Sequence, residues 1–290
     1  MVVVEAMRQI LDRDPTARIL ACAPSNSAAD LIADRLKHFG VAASQMFRLN
    51  APTRPVESLS KTLADCVRKV GNMFVVPPVE EIRKFRVIVA TCISSYLPYA
   101  MGVQRGHFSH IFIDEAGQAL EPEAMISIRT MAGQKTNIVL SGDPKQLGPI
   151  VHSRIATALG LGASYLDRLV GQPIYDLALG HGVTLVTSHC TGSPFLTYCP
   201  LRIVKLLHNY RSHESILNYP NRTFYGGELQ VHGDPAVINS LTRFHELVTP
   251  GFPIIFHAIS GLSPVLRKLP IIDWYCPRRR HARELLTIIL

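Results

Sequence analysis

The chain has 290 residues, of which 47% are hydrophobic and 18% are charged, and this composition indicates a folded globular protein and excludes an intrinsically disordered one. The length is sufficient for two domains of ordinary size. The formal net charge of +8 permits an acidic partner such as nucleic acid, but many basic proteins bind no anion, so the charge alone selects no function.

The sequence also limits the cellular setting. No apolar run approaches the roughly 18 residues that span a bilayer, so we expect no membrane association. Glu5 and Arg8 interrupt the only early apolar stretch, which argues against a signal peptide. The six cysteines are scattered without C-x-x-C spacing, and we expect reduced thiols in a cytosolic or nuclear protein rather than disulfides or a zinc site.

Short apolar runs alternate with helical patterns over the first half of the chain. The helices are predicted at Met1–Leu11, Ser27–His38 (capped by Ser25 or Asn26) and Pro122–Met131. The strands are predicted at Ile19–Ala23, Val87–Thr91, Ile111–Asp114 and Ile138–Ser141. Each strand is nearly all apolar, which is typical of parallel strands covered on both faces. We therefore predict an α/β fold in which helices cover a parallel sheet.

The second half is less regular. The pattern is helical and loop-like over 151–180, and 182–200 is rich in Thr, Ser and Pro, which is consistent with an exposed insertion. A second α/β unit is predicted to begin near Ile203 and to include a strand at Phe252–Ile259. We therefore predict a first domain over 1–180, an atypical insertion or linker over 181–200, the start of a second domain over 201–261, and a divergent tail over 262–290.

Polar or small residues follow each of the four predicted strands of the first half, as PSNS, TCISS, DEAGQ and SGDPKQ. Ligands of open α/β sheets bind outside the carboxyl ends of the strands. The four endings therefore indicate one site.

Asp114 and Glu115 form an acidic pair after three apolar strand residues. One carboxylate at this position can hold Mg²⁺, and the next can orient and deprotonate an attacking water molecule. A bare Asp-Glu pair at a strand end is more often two solvated acids. The extended string DEAGQ, followed by Pro122 and Glu123, is more specific.

Gln146 lies in the loop GDPKQLGP after the next strand. Its amide can donate to a phosphate oxygen and accept from water, which suits a γ-phosphate sensor. Considered alone, the string GDPKQ is more often an ordinary polar turn.

Tyr210 and Arg211 lie in NYRSH at the start of the second unit. The planar guanidinium of an arginine matches phosphate oxygens, and a neighbouring tyrosine can stack on a base. An isolated arginine is more often a surface ion-pair former.

Ser25 and Asn26 lie where a strand meets a helix, a position at which backbone N–H groups and hydroxyls bind anions. An ordinary helix cap explains either residue equally well.

In their order and spacing, these motifs resemble those of the Upf-like group of superfamily 1 helicases. The resemblance is greatest to the motifs of the Armitage and Moloney-leukaemia-virus-ten-like RNA helicases. The resemblance covers about residues 3–261, with a break between about 180 and 199. The strings that carry it are ILACAPSNSAADL, VIVATCISS, HIFIDEAGQALEPE, IVLSGDPKQLGP, KLLHNYRSHESIL and GFPIIFH.

The resemblance implies a RecA-like fold and a role for each matching residue. Asp114 corresponds to the Mg²⁺-binding acid and Glu115 to the base that activates water. Gln146 corresponds to the glutamine that senses the γ-phosphate. The adenine-stacking residue matches Tyr210, and the arginine that reaches the γ-phosphate from the second domain matches Arg211. Positions that contact the nucleic-acid backbone match Ser25, Asn26 and Thr91.

The same resemblance implies ATP-dependent, 5′ to 3′ unwinding of RNA, with ATP and Mg²⁺ as cofactors. The implied substrates are single-stranded RNA or an RNA duplex with an overhang. The implied setting is RNA silencing and RNA turnover in cytoplasmic ribonucleoprotein granules, with Argonaute or Piwi proteins as partners.

Three features depart from the family pattern. No P-loop of the form G-x-x-x-x-G-K-[ST] occurs, and the nearest string, GQKT at Gly133–Thr136, lies after the acidic pair. The tail after Gly261 matches neither of the two motifs expected there, and Val183–Tyr198 is foreign to the family. A truncated gene model would account for these departures.

Without a P-loop the phosphates lose their main cradle, and we expect this chain not to hydrolyse ATP at a useful rate. A non-catalytic RNA-binding or scaffold protein derived from a helicase is therefore the alternative hypothesis. An unrelated nucleotidase would not carry the unit that contains NYRSH.

Overall fold

The computed structural model describes residues 2–175, 183–184, 203–258 and 285–289. The chain divides into two compact units, Met1–Leu179 and Gly180–Leu290, and each unit is described by itself.

The first unit alternates helices and strands as the sequence predicts. Its elements are α1 (Val2–Arg13), β1 (Ile19–Ala23), α2 (Asn26–His38), β2 (Met46–Arg48), β3 (Lys69–Val70), β4 (Met73–Phe74), α3 (Val79–Ile82), β5 (Val87–Thr91), α4 (Leu97–Ala100), β6 (His110–Ile113), α5 (Glu121–Met131), β7 (Asn137–Leu140), α6 (Arg154–Ala158) and α7 (Tyr165–Val170). The predicted strands and helices are confirmed with shifts of one or two residues at their ends. Asp114 and Ser141 directly follow β6 and β7 rather than ending them.

A five-stranded parallel sheet organises this unit, with the strand order β2-β5-β1-β6-β7. The chain leaves β1 toward one side of the sheet and leaves β6 toward the other, so the connections diverge between these two neighbouring strands. Such a point of divergence is where open α/β sheets bind ligands. The predicted α/β fold, a parallel sheet covered by helices, is confirmed.

Apolar side chains cover both faces of the sheet. Along β1, Ile19 and Ala21 contribute to the core beneath α1 and α2, whereas Leu20 and Cys22 contribute to the core beneath α5. Alternation of this kind follows from the two-residue period of a strand. All five residues of β1 are buried, as expected for the central strand of a parallel sheet.

Two features of the sheet differ from the prediction. The strand β2 was not predicted, because three residues are too few to give a periodic signal. The strand β7 was expected to be covered on both faces, but Asn137, Ile138 and Val139 are exposed. In the described part of the chain β7 pairs only with β6, so it forms an edge of the sheet.

The second unit contains short strands and two helices among its described residues. Its elements are β8 (Val183–Thr184), β9 (Val204–Lys205), β10 (His208–Asn209), α8 (Glu214–Phe224), β11 (Gln230–Val231), α9 (Pro235–Ile238), β12 (Ile254–Ala258) and β13 (Leu285–Ile289). The strand predicted at Phe252–Ile259 is observed as β12, which pairs antiparallel with β13. Most of the predicted insertion and tail lies outside the described residues, and the division into four segments stays a prediction.

None of the helices in the described part of the chain has the length and apolar character that a membrane span requires. Cys22, Cys66 and Cys92 are free and buried, and burial raises the pKa of the Cys22 thiol to about 12. The remaining three cysteines lie outside the described residues.

Candidate functional site

The polar endings of the central strands lie along one rim of the sheet. Past the strand ends, the N–H of Asp114 donates to the Cys22 carbonyl and the N–H of Ser141 donates to the Ile113 carbonyl, both at 2.8 Å. On the other side of β1, the N–H of Cys92 donates to the Ala23 carbonyl at 2.8 Å. Continued pairing of this kind keeps the endings of β5 and β6 in register with β1, and the ending of β7 in register with β6.

The Asp114 carboxylate is half-buried and held by a neighbouring hydroxyl. Ser141 Oγ donates a hydrogen bond of 2.8 Å to Asp114 Oδ1. Within the described residues, Oδ2 makes no hydrogen bond, and this oxygen is free to bind a cation. Ser141 was not singled out from the sequence, although its place directly after the neighbouring strand was a usable signal.

Glu115 occupies a strained backbone conformation. Its φ is 53°, in the left-handed region that a residue with a side chain adopts at a cost of about 1–2 kcal/mol. Hydrogen bonds on both sides hold the turn: the N–H of Ala116 donates to the Ser141 carbonyl at 2.8 Å, and that of Gln118 donates to the Glu115 carbonyl at 2.9 Å. The carboxylate of Glu115 is exposed and accepts only a 3.1 Å bond from Gln118 Nε2 in the described part of the chain. Strain at an exposed carboxylate is typical of a functional position.

The turn after β6 packs closely on the loop after β7. A Cβ atom on Gly142 would lie 2.8 Å from the backbone nitrogen of Gly117 and 2.9 Å from that of Ala116. A Cβ on Gly117 would lie 2.9 Å from the Asp143 carbonyl oxygen. These distances leave room only for glycine, so the acidic pair and the GDPKQ loop are brought together by backbone contact.

Gln146 is exposed in that same loop. Its Nε2 donates to Asp143 Oδ2 at 2.7 Å, while Asp143 Oδ1 accepts from the N–H of Lys145 at 2.9 Å. Asp143 therefore orients the glutamine amide and leaves the amide oxygen facing away from it. Sequence reasoning missed this role of Asp143.

The donor set of the rim suits Mg²⁺ shared with a phosphate ligand. No group of three or more His, Cys, Asp or Glu side chains among the described residues could enclose a metal ion. Mg²⁺ is commonly held by one or two carboxylates together with substrate phosphates and water. The free oxygen of Asp114 fits that arrangement.

The residues expected to contact nucleic acid lie at the carboxyl ends of β1 and β5: Ser25 and Asn26 follow β1, and Thr91 is the last residue of β5. Ser25 is the N-cap of α2, and its Oγ accepts from the N–H of Ala28 at 3.1 Å. Asn26 is the first helical residue, so the alternative in which it serves as the cap is wrong. Thr91 Oγ1 accepts from the N–H of Ser94 and donates to its Oγ, which shapes the turn after β5.

Tyr210 and Arg211 belong to the second unit. Asn209 Oδ1 accepts from the N–H groups of Arg211 and Ser212, at 3.0 and 2.8 Å, and so fixes the turn that precedes α8. Tyr210 is 64% exposed, and the Arg211 side chain makes no hydrogen bond to the described residues. Both side chains are thus available for a ligand.

Comparison with known proteins gives consistent matches. The family described as an AAA domain matches residues 56–154. RNA helicase Mov10l1 of Homo sapiens is 41% identical over 279 residues, which cover 95% of this chain and 21% of that protein. Putative helicase MOV-10 of Gallus gallus is 35% identical, covering 89% of this chain and 26% of the relative. Probable RNA helicase armi of Drosophila melanogaster is 35% identical, covering 79% of this chain and 20% of the relative. The chain therefore spans about a fifth to a quarter of the length of these relatives.

Proposed function

We propose that this chain carries the residues with which an ATP-dependent RNA helicase hydrolyses ATP and binds RNA. The premise is its sequence similarity to the Mov10-like and Armitage RNA helicases. The observation that supports the proposal best is the acidic pair. Asp114 and Glu115 follow a buried strand at the point where the connections of the sheet diverge, beside the loop that carries Gln146.

In this proposal Asp114 holds Mg²⁺ bound to ATP, and Ser141 keeps the carboxylate oriented. The bound Mg²⁺ would neutralise charge on the phosphate oxygens. Glu115 orients a water molecule and accepts its proton. The water oxygen then bonds to the γ-phosphorus while the bond from that phosphorus to the β–γ bridging oxygen breaks, which releases ADP and phosphate.

The remaining site residues bind the nucleotide and the nucleic acid. The amide of Gln146 senses the γ-phosphate, Tyr210 stacks on adenine, and Arg211 contributes a guanidinium to the phosphates. Ser25, Asn26 and Thr91 contact the strand backbone. The substrate is single-stranded RNA or an RNA duplex with an overhang, unwound 5′ to 3′. In the cell, we propose that the protein acts in RNA silencing and RNA turnover, in cytoplasmic granules and with Argonaute or Piwi proteins as partners.

A non-catalytic RNA-binding or scaffold protein is the second candidate. The observation in its favour applies to these 290 residues by themselves, which contain no P-loop string. Such a protein would use Ser25, Asn26 and Thr91 and would not use ATP.

Two measurements on the chain test these candidates. Both candidate functions require that the chain bind single-stranded RNA, and fluorescence anisotropy measures this binding. For the 290 residues alone we expect no useful ATP turnover, because the phosphates lack their main backbone cradle. RNA-stimulated turnover that Glu115→Gln abolishes would contradict that expectation and eliminate the scaffold, whereas absence of RNA binding would count against both candidates.

A further inference from the structure

A small polar cleft lies at the amino-end rim of the parallel sheet, the edge at which Arg18, Arg86 and Ser109 directly precede β1, β5 and β6. The strands are parallel, so this rim is at the opposite end of the sheet from the candidate functional site. The volume of the cleft is about 290 Å³, and its lining residues are Arg83, Gln104, Arg105, Gly106 and His107. A ligand in this cleft would therefore be separate from the proposed sites for ATP and for the nucleic-acid strand.

Backbone contacts fix the loop that carries most of these residues. The N–H of Gly106 donates to the carbonyl of Met131, the last residue of α5, at 2.8 Å. A Cβ atom on Gly133 would lie only 2.7 Å from the Cα of Gly106, so no side chain fits between the loop and the segment after α5. The φ of Gly106 is 83°, in the left-handed region that favours glycine. One wall of the cleft is therefore built by close backbone packing.

The two guanidiniums of the cleft are each held by one backbone carbonyl. Arg83 Nη2 donates to the Gly102 carbonyl at 3.0 Å, and Arg105 Nε donates to the Ala132 carbonyl at 3.1 Å. Within the described part of the chain, their other N–H groups make no hydrogen bond, and neither arginine forms a salt bridge. A side chain that is already held in place loses less conformational entropy when a ligand binds. The free N–H groups are thus partly preorganised for an acceptor.

His107 contributes a buried polar atom that has no partner. Its Nε2 is enclosed by protein and makes no hydrogen bond to the described residues. Buried polar atoms are nearly always paired, so an unpaired one in a residue that lines a cleft suggests a missing polar neighbour. Burial, together with the charges of Arg18 and Arg83, lowers the pKa of this imidazole to about 4, so the ring is neutral at neutral pH. The effect of the two arginines shows that uncompensated positive charge surrounds the ring.

The chemistry of the lining residues selects a doubly charged oxyanion. None of the five lining residues is acidic, and two guanidiniums and the Gln104 amide provide several N–H donors. A phosphate monoester offers three terminal oxygens and nearly two negative charges, which match two guanidiniums. A carboxylate or a phosphodiester offers only two such oxygens and one charge. The volume lies at the lower end of the range for small-molecule sites, about 300–1,000 Å³, and suits a phosphate group with a small substituent.

We propose that this cleft binds a dianionic phosphate group, either free phosphate or the monoester of a small molecule, with Arg83 and Arg105 as its binding residues and with Gln104 and His107 in the wall. The inference goes beyond the proposed helicase function, because the cleft shares no residue with the candidate functional site. A phosphodiester of a nucleic-acid strand fits less well, and its binding is an outcome that the test distinguishes.

Nuclear magnetic resonance titration of the full chain with inorganic phosphate tests this proposal, with chloride at the same ionic strength as the control for screening. Phenyl phosphate, a monoester, and dimethyl phosphate, a diester, are titrated in parallel. We expect saturable binding of inorganic phosphate, of phenyl phosphate or of both, and the tighter of the two identifies the source of the phosphate group. Dimethyl phosphate should bind at least about tenfold more weakly, because it lacks one charge and one acceptor oxygen.

Two further measurements locate the binding in the cleft. Arg105→Gln removes one guanidinium and should weaken phosphate binding about tenfold, whereas Arg222→Gln, at an exposed arginine of α8, should leave it within about twofold. Bound phosphate should also move the titration of the His107 ring to higher pH, because a nearby anion stabilises the protonated imidazole. Circular dichroism melting monitors folding, and Arg83→Gln replaces Arg105→Gln if that variant does not fold.

Binding of phosphate and phenyl phosphate no tighter than that of chloride, or wild-type phosphate affinity in the folded arginine variant, would overturn this inference. Dimethyl phosphate bound as tightly as the other two would overturn the choice of a monoester and favour a strand backbone. These results would leave the proposed ATP hydrolysis and RNA binding intact. Conversely, a chain that binds phosphate in the cleft but does not bind RNA would support this inference and count against the proposed function.

Discussion

At the scale of single residues, Glu115 carries the sharpest conflict between stability and function. At a φ of 53°, a glutamate lowers the free energy of unfolding, because its Cβ atom disfavours this left-handed conformation, whereas a glycine has no such penalty. The turn nevertheless presents this carboxylate, exposed, beside Asp114. The residue expected to act as the base is therefore also a residue with a strained backbone conformation.

Substitutions at Glu115 should reveal this strain. We expect Glu115→Gly to exceed Glu115→Ala in free energy of unfolding by about 1 kcal/mol, because alanine retains the left-handed penalty and glycine does not. Chemical denaturation measures the difference. The control pair at Glu80, an exposed residue of the helix α3, should have the reverse order, since glycine is the poorer helix former there. Equal stability of the two Glu115 variants would show that the turn is unstrained.

Asp30 of α2 should stabilise the fold in a pH-dependent way, because it forms salt bridges with Arg48 and Arg54, whose side chains are 0% and 5% exposed. Burial alone would raise the pKa of Asp30, but the two arginines outweigh it and lower that pKa in the folded state. The contribution of Asp30 is therefore complete above the unfolded value of about 3.9 and is lost as the pH falls through the folded pKa. Asp30→Asn leaves two buried arginines without their anion and should cost about 3 kcal/mol at neutral pH. Denaturation curves at neutral and acidic pH should show this difference shrinking below about pH 3.9.

Asp34→Asn provides the matched control on the same helix, with no salt bridge to the described residues, and should change the stability by less than about 0.5 kcal/mol. A difference between the wild type and Asp30→Asn that stays constant across this pH range would refute the ionic role of Asp30.

At the scale of elements, the site depends on two loops that touch through their backbones. Gly142 lies where the loop after β7 meets the turn after β6, and no side chain fits between them. Gly142→Ala should lower the free energy of unfolding by about 1–3 kcal/mol, because the added carbon forces the loops apart. Thermal melting tests this against Gly148→Ala, where the new Cβ would meet only the Gly162 carbonyl at 3.9 Å. A stability of Gly142→Ala equal to that of Gly148→Ala would contradict the close packing.

Much of the central sheet could be predicted from the sequence because its strands are apolar throughout. Four of the five strands and the helices α1, α2 and α5 follow from periodicity and caps, and the polar strand endings indicated their common rim. Other features left no such signal. The strand β2 is three residues long, and the exposure of β7 depends on its place at the edge of the sheet, which periodicity does not report.

The site was predictable to the extent that it lies in strand-end motifs. Asp114, Glu115, Ser25 and Thr91 fall beside the central strands because parallel strands end on the same side of a sheet. The support of Asp114 by Ser141 and the pairing of Arg48 with Asp30 depend on contacts between distant parts of the chain. A sequence pattern does not show such contacts.

At the scale of the whole molecule, the sequence similarity and the geometry of the first unit lead to the same interpretation. The chain is 35–41% identical to the RNA helicase Mov10l1, the putative helicase MOV-10 and the probable RNA helicase armi over 79–95% of its length, and it matches about a fifth to a quarter of theirs. Its strand-end rim provides a half-buried carboxylate with one oxygen free of hydrogen bonds to the described residues, a strained and exposed glutamate, and the first turn of a helix. These features are the ones on which the proposed ATP hydrolysis at one end of the rim and the proposed strand binding at the other depend.

The most direct measurement is RNA-stimulated ATP turnover in a chimera in which this chain replaces the matching segment of human Mov10l1. We predict that the chimera hydrolyses ATP and that Glu115→Gln lowers its kcat by at least about 100-fold through loss of the base. Glu80→Gln, at an exposed glutamate outside the rim, should leave turnover unchanged. An active chimera in which Glu115→Gln turns over ATP as fast as the parent would contradict the assignment of the acidic pair.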